Sequence, residues 1–110
     1  MILGIENCGN EVSLRCSGKI VYGEDVSPLF EAVAGQQNGR IVVLDLTAVS
    51  RIDACGLGIL VFLGQWARAA GVQLQLLPSK PVLDMLELTL LSSEFEIRSP
   101  EDVLPESILC

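Results

Sequence analysis

Histidine is absent from this 110-residue chain, and with it the side chain that most often serves as general base or metal ligand near neutral pH. Basic residues are few: seven Lys and Arg against fourteen Asp and Glu, for a net charge of −7. They are scattered singly from Arg15 to Arg98, so neither a nucleic-acid backbone nor an anionic membrane surface finds the clustered charge that holds it. Four cysteines, at 8, 16, 55 and 110, form no CxxC pair, and a zinc site would need all four thiolates to converge. No metal is expected. The longest uncharged run, Ala54 to Ala67, has 14 residues, short of the roughly 20 that span a bilayer as a helix. Met1-Ile2-Leu3-Gly4-Ile5-Glu6 lacks the basic start and long apolar stretch of a secretory signal, so a reducing, cytoplasmic setting without membrane insertion is expected. Gly-x-x-x-x-Gly-Lys-Ser is missing, as is a Gly-x-Gly-x-x-Gly after a strand, so no enzyme and no cofactor is expected.

What is present is apolar: half the residues, enough for one core and too few for two. A single domain over residues 1–110 follows as the expectation. Apolar stretches Ile2 to Ile5 and Val12 to Cys16 flank Gly9-Asn10, a pair suited to tight reversal, and predict an opening hairpin. Ile20, Val21 and Tyr22 either extend its second arm or begin the next element. Val26, Leu29, Phe30 and Val33 mark one helix face, with Pro28 in the first turn and Gly35 as the stop. Ile41-Val42-Val43-Leu44-Asp45-Leu46 is apolar on both alternating faces, as in a central strand covered on both sides. A loop is read next, then a helix from Gly56 to Ala70, capped by Asp53 and ended by Gly71. Val72 to Leu77 alternates as a strand. Ser79 is placed to cap a helix from Lys80 to about Leu88, and Phe95-Glu96-Ile97 is a short edge strand. Ser99-Pro100-Glu101-Asp102 reads as a last helix start. The expected class is therefore α/β: a mixed sheet of four to five strands, an N-terminal hairpin and about four helices.

The junction from Leu44-Asp45-Leu46 through Asp53-Ala54-Cys55-Gly56-Leu57-Gly58 resembles the STAS domain family, shared by sulfate transporters and anti-sigma factor antagonists. Its core pattern is apolar-Asp-Leu, a short loop, then Asp-Ser-Ser-Gly-Leu-Gly opening a helix. Gly18-Lys19-Ile20 is similar to the family's Gly-x-Leu lead-in, and Ala70-Gly71-Val72 to its helix-to-strand turn. Leu86 through Phe95 resembles its Leu-x-x-x-Gly-Leu-x-x-x-Phe stretch without the glycine. The resemblance implies a bacterial, stand-alone regulator of transcription that binds a protein partner, an anti-sigma factor with serine-kinase character, through Asp53, Ala54, Cys55, Gly56, Leu57 and Gly58. In such proteins the serine after the motif aspartate is phosphorylated by that partner, which breaks the complex. Here the position is Ala54, which has no hydroxyl. Thr47 and Ser50, read as loop residues, are the substitute acceptors.

Each residue also has a plainer reading. Asp53 as a helix cap contributes about 1 kcal/mol, and partner contact can coexist with that. Gly56 and Gly58 each cost about 1 kcal/mol against alanine in a helix, and packing of helix on sheet accounts for them more readily than a partner. Cys55 reads first as a small buried apolar residue, and otherwise as a redox-sensing thiol. Asp45 reads as a structural carboxylate accepting N–H groups of the following loop. Phe62 and Trp66 share a helix face that is either core or an interface, including that of a homodimer. Two functions stand beside partner switching: an accessory subunit binding the ATPase of a lipid ABC transporter, and a redox module through Cys55.

Overall fold

The computed structural model describes residues 2–36 and 40–98; the last predicted helix, from Ser99, lies outside them. Strand β1 (Ile2–Cys8) turns at Gly9, whose φ of 62° matches the tight reversal, into β2 (Glu11–Ile20). Helix α1 (Ser27–Ala34) follows, then β3 (Ile41–Ile52), α2 (Ala54–Ala70), β4 (Gln73–Pro78), α3 (Lys80–Leu88), a 3₁₀ turn (Ser92–Glu94) and β5 (Glu96–Ile97). The sheet runs β1-β2-β3-β4-β5, with β1 antiparallel to β2 and every later pair parallel. Strands that succeed one another in spatial order through right-handed crossovers place their helices on one face. Accordingly a single core joins Val12, Leu14 and Cys16 of β2, Val42, Leu44 and Leu46 of β3, and Leu76 of β4 to Leu29 and Val33 of α1, Leu60 and Leu63 of α2, and Val82 and Leu86 of α3. On β3, Val42 and Leu44 face this core, and Val43, which points to the opposite face, is buried as well.

The structure departs from the sequence reading in three places. The loop expected after Leu46 is strand: β3 continues to Ile52, pairing Ser17 with Ala48, Gly18 with Val49, Lys19 with Arg51 and Ile20 with Ile52. Register shifts on either side of Ser17–Gly18 break the period-two pattern that would have disclosed it. Helix α2 starts two residues before Gly56, at Ala54. Ser79 occupies the N-cap position of α3 but makes no capping bond, and its hydroxyl is buried without a partner among the described residues.

Both longer helices close the same way. After α2, the Val72 N–H donates to the Ala67 carbonyl at 2.8 Å and the Gly71 N–H to Arg68, with Gly71 at φ 73°. After α3, Leu91 donates to Leu86 at 2.9 Å and Leu90 to Glu87, the same paired closure with Leu90 at φ 61°. Among the described residues no helix is long and apolar enough to cross a membrane.

Candidate functional site

Asp53 lies between the end of β3 and the start of α2, in extended conformation, as the N-cap. Its two carboxylate oxygens have separate tasks. Oδ1 accepts the Gly56 N–H at 2.9 Å, closing the first turn of α2, and Oδ2 accepts the Tyr22 N–H at 3.0 Å, fastening the segment after β2 to the helix start. Both bonds favour the ionised form, the Tyr22 N–H most and the Gly56 N–H next, so the carboxyl is held below its ordinary value.

The six motif residues divide between inside and outside. A Cβ on Gly56 would lie 1.9 Å from the Ile20 carbonyl oxygen and 2.9 Å from Ile52 Cγ1, so the first turn of α2 rests directly on the backbone at the end of β2. Leu57 enters the core. Ala54, Cys55 and Gly58 are exposed, and a Cβ on Gly58 would meet nothing within 4 Å. Packing against the sheet therefore explains Gly56 and leaves Gly58 unexplained. Cys55 is a free thiol on the surface, against the expectation of a small buried residue; among the described residues the buried free cysteine is Cys16. Burial, with the Asp45 carboxylate as a second cause, pushes the Cys16 thiol up to about 11.

Ala54, Gly58 and Phe62 recur at four-residue spacing and so share one stripe along the outside of α2. Phe62 is 54% exposed and meets Phe30 of α1 edge-on, ring centroids 5.6 Å apart. Trp66 is half-buried against the core. Tyr22, at 82% exposure, stands on the segment that Asp53 holds. Sequence reasoning missed Tyr22, since its link to the site spans 31 residues and runs through a backbone N–H that leaves no side-chain signature.

Asp45 plays the structural part expected of it: Oδ1 accepts the Thr47 N–H at 3.0 Å, and Oδ2 lies 3.4 Å from Arg15 Nε. Thr47 and Ser50 are exposed, but on β3 and not on a loop. The Thr47 hydroxyl donates to Asp45, and the Ser50 hydroxyl donates to the Gly18 carbonyl at 3.1 Å. Among the described residues no three metal-ligating side chains converge.

A mixed sheet with parallel crossovers, whose third strand hands over through an aspartate cap to a helix with an uncharged outer stripe, is the architecture of a small α/β domain. The chain belongs to the STAS domain family, which matches residues 4–103. No curated protein matches it. Among solved structures it is similar to TM1081 of Thermotoga maritima, described as a candidate anti-sigma factor antagonist, at 22% identity over 96% of this chain and 91% of that one, TM-score 0.73. It is also similar to the anti-sigma factor antagonist SpoIIAA in its unphosphorylated form, at 18% identity over 92% and 91% of the two chains, TM-score 0.58. A further likeness is to Mglu, at 28% identity over 72% of this chain, TM-score 0.63; the matched part is 20% of that protein's length. The chain thus has the SpoIIAA-like fold, with anti-sigma factor antagonists among its structural neighbours.

Proposed function

We propose that this chain is a single-domain, non-catalytic binding module of the anti-sigma factor antagonist type, acting in the bacterial cytoplasm. Its partner is an anti-sigma factor with serine-kinase character. The docking face is the start of α2: Ala54, Cys55 and Gly58 meet the partner, while Asp53, Gly56 and Leu57 hold that face in place. The observation that carries the reading is Gly58. A glycine inside a helix costs about 1 kcal/mol against alanine, and among the described residues no atom beyond its own stretch of helix lies within 4 Å of the place a Cβ would take. Close approach of a second backbone is a use for that space. Around it the stripe Ala54–Gly58–Phe62 carries no charge, and the Asp53 carboxylate is already occupied by two backbone N–H groups.

Ala54 sets the kind of control. A phosphoserine there would place about two negative charges beside Asp53 and disrupt an interface by repulsion and desolvation. With alanine the face stays available for docking whatever the kinase does at that position. The test is calorimetric titration of the full chain against the anti-sigma factor kinase encoded nearest to its gene. Ala54→Glu and Gly58→Leu should each weaken binding about tenfold, or 1.4 kcal/mol, with the melting temperature unchanged for Ala54→Glu. Ala54→Ser should bind normally until ATP is added, then lose binding as phosphate is incorporated. Undiminished binding by both Ala54→Glu and Gly58→Leu would place the docking face elsewhere.

A further inference from the structure

Two of the seven basic side chains stand side by side. Lys19 on β2 and Arg51 on β3 are direct neighbours in the sheet, both exposed. Neither side chain makes an ion pair or hydrogen bond among the described residues. By contrast Arg15, Lys80 and Arg98 each meet a carboxylate, of Asp45, Asp84 and Glu11, and Arg40 donates to Asn7 and Asn10. Like charges at directly opposed sheet positions repel, so the pairing is unfavourable within this chain taken alone.

A backbone irregularity creates it. Gly18 pairs with Val49 and the next register pair is Lys19 with Arg51, so Ser50 is the inserted residue. Gly18 sits at φ 103° and its carbonyl accepts the Ser50 hydroxyl at 3.1 Å, which closes the bulge. In an unbroken ladder Lys19 would face the neutral Ser50. The next pair, Ile20 with Ile52, is buried in the core, and successive strand residues point to opposite faces. Lys19 and Arg51 therefore project from the face of the sheet away from α2.

We infer that the Lys19–Arg51 pair is a docking point for a carboxylate-rich segment of a protein partner. The guanidinium presents a planar fork to one carboxylate, and the ammonium presents a second charge one strand spacing away, about 5 Å. The charge of the rest of the molecule selects the occupant. A narrow acidic segment can meet two cations one strand spacing apart; a bilayer or a nucleic acid would bring a broad anionic surface against a chain of net charge −7. The inference does not rest on the α2 docking face, which lies across the sheet, and either can fail alone.

The experiment is a titration of the isotopically labelled full chain with a hexaglutamate peptide at low salt, followed by amide chemical shifts. Shifts should concentrate at Lys19, Ser50 and Arg51, fade as salt is raised, and require about tenfold more peptide in the Lys19→Gln/Arg51→Gln double variant. The Lys80→Gln variant should respond like the unmodified chain. Spectra of the double variant that match the original away from the ends of β2 and β3 establish that it is folded. Shifts centred on Arg68 or Lys80, an undiminished response in the double variant, or sedimentation with phosphatidylglycerol vesicles without any response to the peptide would each overturn the assignment.

Discussion

At the scale of single residues, the two glycines at the third and fifth positions of α2 differ in kind. Replacing Gly56 by alanine drives a methyl to 1.9 Å from the Ile20 carbonyl, a backbone atom that cannot swing aside. Gly56→Ala is expected to lose about 3 kcal/mol or fail to fold, as overpacking against rigid atoms does. Gly58→Ala adds a methyl in open space and should gain about 1 kcal/mol through helix propensity. Urea unfolding of the two variants reads out both signs. The cysteines divide as sharply. With Cys16 fully buried and Cys55 exposed, brief iodoacetamide treatment at neutral pH followed by peptide mapping should label Cys55 in the native chain and Cys16 only after denaturant is added. None of these distinctions was legible in the sequence. Asp53 as a cap could be read from its place before an apolar helix, but only the position of Ile20, 36 residues earlier than Gly56, separates the two glycines.

At the scale of elements, local pattern was enough wherever it was uninterrupted. The Gly9-Asn10 hairpin, the α1 face of Leu29 and Val33, and the alternation of β4 all followed from spacing. The second half of β3 did not, since Thr47 to Ile52 becomes strand by pairing with a bulged β2, a tertiary cause that periodicity cannot register. The closures of α2 and α3 offer a sharper comparison. One puts Gly71 in the left-handed region; the other puts Leu90 there, at the place where the family stretch carries glycine. Left-handed geometry costs a residue with a Cβ roughly 1–2 kcal/mol, and Leu90, at 82% exposure, recovers little of it by packing. Leu90→Gly should therefore stabilise the protein by about 1 kcal/mol after the added freedom of the unfolded chain is counted, seen as a higher melting temperature.

At the scale of the whole molecule, charge governs the response to pH. Asp53 is held below its ordinary value by the Tyr22 and Gly56 N–H groups, and Asp25 by the Ser27 hydroxyl and N–H. A carboxyl whose folded value is depressed stabilises the fold fully above its unfolded value and loses that contribution as pH falls through the folded one. Stability should therefore hold down to about pH 4, near the unfolded aspartate value, and fall below it. Asp53→Asn should be less stable at neutral pH and decline less steeply below pH 4, measured as urea midpoints across the range. The sheet carries a separate consequence at its margins. Among the described residues one edge is β5, only two residues long, and the other is β1, seven residues with Glu6 as its one charged side chain. A short edge offers little template for a foreign strand, whereas a long one with a single charge invites it. Aggregation in concentrated solution should therefore begin by strand addition at β1, and a lysine on its outward-facing positions is the substitution that would keep the chain dispersed.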